Sequence, residues 1–111
     1  LRCKNIASVA RNYYLAGFTT VFISFVYVRD EDLSEQVELL SDLNSVKVFA
    51  LVPNEEILRK RHLAASYVRE GIESSIKLNQ QIATLKNIEI IDNSDLSVGE
   101  VARMIKEKLK I

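Results

Sequence analysis

The chain has 111 residues, one domain's worth, long enough to bury roughly two thirds of its unfolded surface around a single core. Fifteen Lys and Arg balance fifteen Asp and Glu, so there is no global field to gather nucleic acid or an anionic membrane, and neither is expected as a partner. Cys3 is the only cysteine and His62 the only histidine, which excludes an intrachain disulfide and a Cys/His zinc cluster built from this chain alone, and makes a reducing cytoplasm the expected compartment.

Ile6, Val9, Ala10 and Tyr13, with Phe18 beyond them, recur at helical spacing from Asn5 onward, and Gly17 is placed to end that helix. Thr19–Val28, TTVFISFVYV, follows as a run of β-branched and aromatic residues interrupted only by the hydroxyl of Ser24. A run without a polar face predicts a strand covered on both sides, hence an α/β protein with a parallel sheet and ligands beyond the carboxyl ends of its strands. Asp32 followed by Glu35 reads as a capping box, and Leu33, Val37, Leu40 and Leu43 form the stripe of a second helix ended by Asn44 and Ser45. Val46–Val52 predicts a second strand, and Pro53-Asn54-Glu55-Glu56 a junction at which Asn54 caps a third helix. That helix carries Arg59, Lys60 and Arg61 and breaks near Gly71, before a helix bearing Ile72, Ile76, Ile82 and Leu85. Ile88–Ile91 predicts a third strand, Asp92–Asp95 a polar loop, and Ser97 to Glu100 a capping box opening the last helix, with Val98, Val101, Ala102, Ile105 and Leu109 on its apolar face.

The expected order is α-β-α-β-α-α-β-α in one domain spanning residues 1–111, with no repeat and no linker. The longest apolar stretch falls short of the roughly 20 residues a membrane-spanning helix needs, and no signal core opens the chain. Leu1 rather than methionine at the start is expected of a stretch that begins inside a longer gene product.

The stretches NIASVARNYYLAGFTTVFISFVYVRDEDLSEQVELL, VKVFALVPNEEILRKRH and IEIIDNSDLSVGEVARMI together resemble the later portion of the P-loop small-molecule kinases, in particular gluconate-kinase-like and chloramphenicol-phosphotransferase-like members of the nucleoside monophosphate kinase fold. The resemblance covers nearly the whole chain. It implies a three-layer αβα fold with a parallel sheet ordered 2-3-1-4-5, in which Thr19–Val28, Val46–Val52 and Ile88–Ile91 are the third, fourth and fifth strands. The first two strands, and the phosphate loop G-x-x-x-x-G-K-[ST], have no counterpart here. A gap between the third and fourth strands would leave backbone groups unpaired, so an upstream segment of about 50 to 70 residues, or a second chain, is expected to complete the sheet.

The resemblance also implies ATP and Mg²⁺ as cofactors, neither expected to bind strongly to this chain alone, since that loop supplies the amide donors, lysine and magnesium-binding hydroxyl of phosphoryl transfer. Ser24 occupies the position where related kinases often place a magnesium-organising or basic aspartate; the alternative is a buried hydroxyl bonded to backbone. Asp30 is the nearby carboxylate available as a substitute, though helix capping explains the acidic run as easily. Arg59 and Arg61 stand where lid arginines neutralise the transferred phosphoryl group, in a lid at about residues 59–71, with Ala64 and Ala65 where a further arginine is common and Arg69 the next cation. Against that, Arg59, Lys60 and Arg61 also fit a solvated face paired with Glu55 and Glu56. Asn93 and Ser94 fall in the loop that surrounds adenine in that fold, and a turn capping the last helix accounts for them nearly as well. His62, lacking a partner in the sequence, reads as a surface residue, and Tyr13, Tyr14 and Tyr67 as packing residues. Two functions follow: an ATP-dependent phosphotransferase acting on a small metabolite with its phosphate loop on another segment, or a non-catalytic nucleotide-sensing or protein-binding scaffold.

Overall fold

The first helix, α1 (Arg2–Leu15), stops where the sequence supplies a glycine. Gly17 takes φ +102°, a region open to glycine and strained for other residues. The turn lets the amides of Gly17 and Phe18 donate to the carbonyls of Tyr14 and Tyr13 at 3.0 and 3.2 Å. Phe18 then lies edge-on to Tyr13, ring centroids 5.5 Å apart, the apolar contact that accompanies this helix ending.

The computed structural model describes residues 1–43, 45–64 and 71–111. The expectations placed on Asn44, Ala65, Tyr67 and Arg69, and on part of the lid, lie outside the described residues. The chain divides into two compact units, Leu1–Val48 with Thr84–Ile88, and Phe49–Ala83 with Glu89–Ile111.

In the first unit α1 packs on α2 (Asp30–Leu39). The buried residues of α1 are small, Cys3, Ala7 and Ala10; Ala7 and Ala10 pack with Leu40 at the C-terminal cap of α2, Gln36 of α2 reaches the Cys3 carbonyl, and Leu33 is buried as well. The spacing of Leu33 and Leu40 was legible. The inner face of α1 was legible only at Ala10, which is buried; Val9 and Tyr13, expected inside with it, are exposed. Arg11 clamps the end of α2 by donating to the Leu39 carbonyl at 3.0 Å, a group no later turn of helix satisfies, and to Asp42 at 2.7 Å. Asp32 does not cap α2. It accepts a two-pronged bond from Arg29, Nε and Nη2 each at 3.0 Å, while the helix starts two residues earlier.

The expected three-layer αβα sheet of P-loop NTPase type is not what the chain forms. The described residues hold five helices and a two-stranded parallel sheet, and more than half of them are helical. Thr19–Val28 is not a strand: no backbone group in it pairs with another backbone group among the described residues, and Thr19–Val26 is exposed. Strand character belongs to a ladder between neighbours, and high β-propensity without a neighbour yields only an apolar connection.

The second unit contains the paired strands. β1 (Phe49–Leu51) lies parallel to β2 (Glu89–Ile91) in the register Phe49↔Glu89, Ala50↔Ile90, Leu51↔Ile91, and the Val52 amide donates to the Ile91 carbonyl at 2.9 Å. The β1 strand is shorter than Val46–Val52 because Val46 packs instead against Ala7, Ala10 and Leu40. Helix α3 (Glu55–Ala64) follows β1, then α4 (Ile72–Ala83), and α5 (Val98–Leu109) follows β2. Ile76, Ile91 and Val101 are buried. At the start of α5 the Ser97 hydroxyl accepts from the Glu100 amide and the Glu100 carboxylate from the Ser97 amide, both at 3.1 Å, the capping box read from the sequence. Among the described residues no helix is long and apolar enough to cross a membrane.

Candidate functional site

Two parallel strands send their carboxyl ends to the same side, and in the second unit both lead into short polar junctions. After β1, Pro53 blocks continuation of the ladder and Asn54 turns the chain into α3, its Oδ1 accepting from the Ile57 amide at 2.9 Å. After β2, Asp92 folds the loop back on itself: its Oδ1 accepts from the Ser94 amide at 3.0 Å and from the Ser94 hydroxyl. The Ser94 hydroxyl oxygen accepts in turn from the Asn54 amide at 2.7 Å, which ties the two junctions into one rim. From α4, Asn79 adds a bond to the Pro53 carbonyl at 3.0 Å.

Arg61 reaches this rim from the second turn of α3. Its Nη2 donates to the Asn93 carbonyl at 2.8 Å, with the Ser94 carbonyl at 3.4 Å. Three of the residues singled out in the sequence, Arg61, Asn93 and Ser94, are therefore in direct contact. Among the described residues Arg61 has no carboxylate at ion-pairing distance, and a guanidinium carries five N–H donors, so most of its capacity for an anion is unspent. Its charge is still felt nearby: Asp92 is held below the usual carboxylate range first by the Ser94 hydroxyl and amide, with Arg61 adding to the effect. The side-chain oxygen of Asn93 is buried and accepts no hydrogen bond among the described residues.

The neighbouring cations are differently placed. Arg59 is bonded to Glu55 at 2.9 Å and to Glu73 at 3.3 Å, and its pKa is raised chiefly by the bond to Glu55. Lys60 lies 3.3 Å from Glu56. His62 is half-buried and Leu63 exposed.

Asp30 belongs to the first unit, where its carboxylate accepts from the Lys86 amide at 2.7 Å in the first turn of α2. Ser24 is exposed, not the buried hydroxyl expected, and its position in an unpaired connection accounts for that. No local pattern in the sequence pointed to Gln36. It is buried within the first unit, accepts from the Tyr27 hydroxyl at 2.8 Å and donates to the Cys3 carbonyl at 3.2 Å.

At this rim Arg61 is a cation with unspent donors, a group suited to an anion. Among the described residues no group of three or more His, Cys, Asp or Glu side chains is placed to hold a metal. No protein-family model, curated protein or solved structure matches this chain.

Proposed function

We propose that the chain is part of an ATP-dependent phosphotransferase acting on a small metabolite in the cytoplasm, with the phosphate-binding loop and the magnesium ligands supplied by a segment outside these 111 residues. The resemblance to P-loop small-molecule kinases motivates the reading. The observation that carries it is the contact of Arg61 with the Asn93-Ser94 loop at the carboxyl end of the parallel pair. In phosphoryl transfer the acceptor hydroxyl attacks the γ-phosphorus, the bond to the β,γ-bridging oxygen breaks, and ADP leaves with that electron pair. A guanidinium held by backbone carbonyls is pre-oriented to take up the charge that spreads over the equatorial oxygens, at little cost in side-chain freedom. Arg59, which already has two carboxylate partners, serves as part of the frame that holds α3 to α4.

The test is magnesium-ATP titration of the longest native polypeptide that contains this chain, read by thermal melting. A saturable rise in melting temperature, lost in Arg61→Ala and partly kept in Arg61→Lys, supports the reading. No shift at millimolar nucleotide refutes it and favours the non-catalytic scaffold, for which the double neutralisation of Arg59 is the supporting observation.

A further inference from the structure

Ser94 joins the two junctions of the rim, and both of its donors are turned inward. Its amide and its hydroxyl donate to the same oxygen, Oδ1 of Asp92, the amide at 3.0 Å. The hydroxyl oxygen accepts from the Asn54 amide at 2.7 Å, and the Ser94 carbonyl lies 3.4 Å from Arg61 Nη2. A serine owns one amide proton and one hydroxyl proton, so Ser94 has no donor left for a bound anion. The Asn54 amide is spent on Ser94 in the same way. Of these three residues, Arg61 alone keeps donors to meet an anion. A competitor for it lies next door. Asp92 precedes Asn93, whose carbonyl receives Arg61 Nη2 at 2.8 Å, and the charge of Arg61 helps to hold the Asp92 carboxyl below its usual range. Yet the two form no ion pair among the described residues, whereas the preceding cations Arg59 and Lys60 both have carboxylate partners.

We propose that Ser94 is a positioning residue for Arg61: by holding the Asp92 carboxylate with both of its donors, it keeps an intramolecular anion off the guanidinium and leaves that group free for a ligand. A guanidinium bonds a carboxylate roughly twice as strongly as a neutral donor does, so a released Asp92 has Arg61 as its stronger partner. Ser94 offsets this with two donors that converge on one oxygen from two residues away, where little chain has to be ordered. The Asn54 amide fixes the hydroxyl from the other side, so the end of β1 takes part in holding Asp92 back. The identity of the anion, the phosphates of ATP, rests on the phosphotransferase reading; the holding of Asp92 away from Arg61 does not.

The test has two arms, both on the longest native polypeptide that contains this chain. In the first, nitrogen-15 NMR reads the Arg61 guanidinium without any ligand. Ser94→Ala is expected to shift its resonances, the further change Asp92→Asn to reverse that shift, and Ser94→Thr, which keeps the hydroxyl, to leave the wild-type spectrum. In the second, magnesium-ATP is titrated by calorimetry. Ser94→Ala is expected to weaken binding by about two- to fivefold, what one exposed ion pair is worth as a competitor. Asp92→Asn is expected to raise affinity more in the Ser94→Ala background than in wild type; a merely structural loss makes the two changes additive. Arg61 resonances unmoved by Ser94→Ala, or moved and not restored by Asp92→Asn, overturn the proposal, as does additivity in the titration. Wild type that fails to bind magnesium-ATP refutes the phosphotransferase reading instead, and the NMR arm then decides the role of Ser94 by itself.

Discussion

The pair Tyr27 and Gln36 offers a quantitative test of how the first unit holds its unpaired segment. Gln36 is only 4% exposed, and its carboxamide makes both of its protein contacts across element boundaries. Tyr27→Phe removes one hydroxyl and leaves the buried Gln36 oxygen without a donor. The expected cost is about 1–2 kcal/mol, the net bond plus part of the desolvation of an unpaired acceptor. Gln36→Met keeps the volume and removes both polar groups, at about 1 kcal/mol, because the Tyr27 hydroxyl of a half-buried residue regains water. The double variant then costs close to Gln36→Met alone, a coupling of about 1 kcal/mol. Urea unfolding followed by circular dichroism, at one fixed protein concentration, measures all four corners of the cycle. Additive costs refute the reasoning, because they mean the two groups do not satisfy each other. A pH arm provides a second check. Burial, with the nearby Cys3 and Asp32 adding and Arg2 opposing, raises the Tyr27 pKa. A group whose folded pKa is raised contributes stability that is complete below its unfolded pKa, near 10, and is lost as the pH climbs through the folded value. Wild type therefore loses stability in that alkaline window, and Tyr27→Phe lacks this component of the loss.

Acid titration has the opposite sign at Asp32, whose pKa is lowered first by the bond from Arg29. Its contribution is present above the unfolded value near 4 and fades as the pH falls through the lower folded value, so Asp32→Asn flattens the acid limb of the stability curve; an unchanged limb counts against the pair. In the second unit Ser97→Ala removes half of a reciprocal cap and is expected to cost about 1 kcal/mol, read as a lower melting temperature, while Ser97→Asp recovers most of it. Equal melting temperatures for wild type and Ser97→Ala exclude a stabilising role for the cap.

Helix ends were the most legible part of this sequence, because a cap is a local arrangement of a few atoms. Gly17, Asn54 and the Ser97/Glu100 pair each act at short range, and each ends or begins an element as read. Asp32 shows the limit of that logic: Arg29, three residues away, offers its carboxylate a better partner than a helix amide does. Burial was less legible, since it depends on what arrives from elsewhere. Ala7 and Cys3 make the inner face of α1 because small residues let α2 come close, and no periodicity of large apolar side chains announces that. The rim was legible in its parts and not in its wiring. Arg61 and Asn93 are 32 positions apart, and the bond between them exists because β1 and β2 run parallel and end level.

The ten residues Thr19–Val28 separate two things that sequence reading joins. Composition reports what a segment is suited to become, and these β-branched and aromatic side chains suit a strand with both faces covered. Becoming one requires a second backbone at the right distance, a property of a pair that one segment's residues cannot encode. β1 and β2 make the contrast within the same chain. Ile88–Ile91 is a shorter run than Thr19–Val28 and contains a charged residue, yet Glu89–Ile91 is a strand, because Phe49–Leu51 lies alongside to complete its ladder. The absence of a ladder at Thr19–Val28 among the described residues is therefore a statement about its neighbours, and its exposed apolar side chains have a chemical consequence. As they stand, Phe22 and Val26 keep apolar surface in water at a standing cost of about 1 kcal/mol or more each relative to burial.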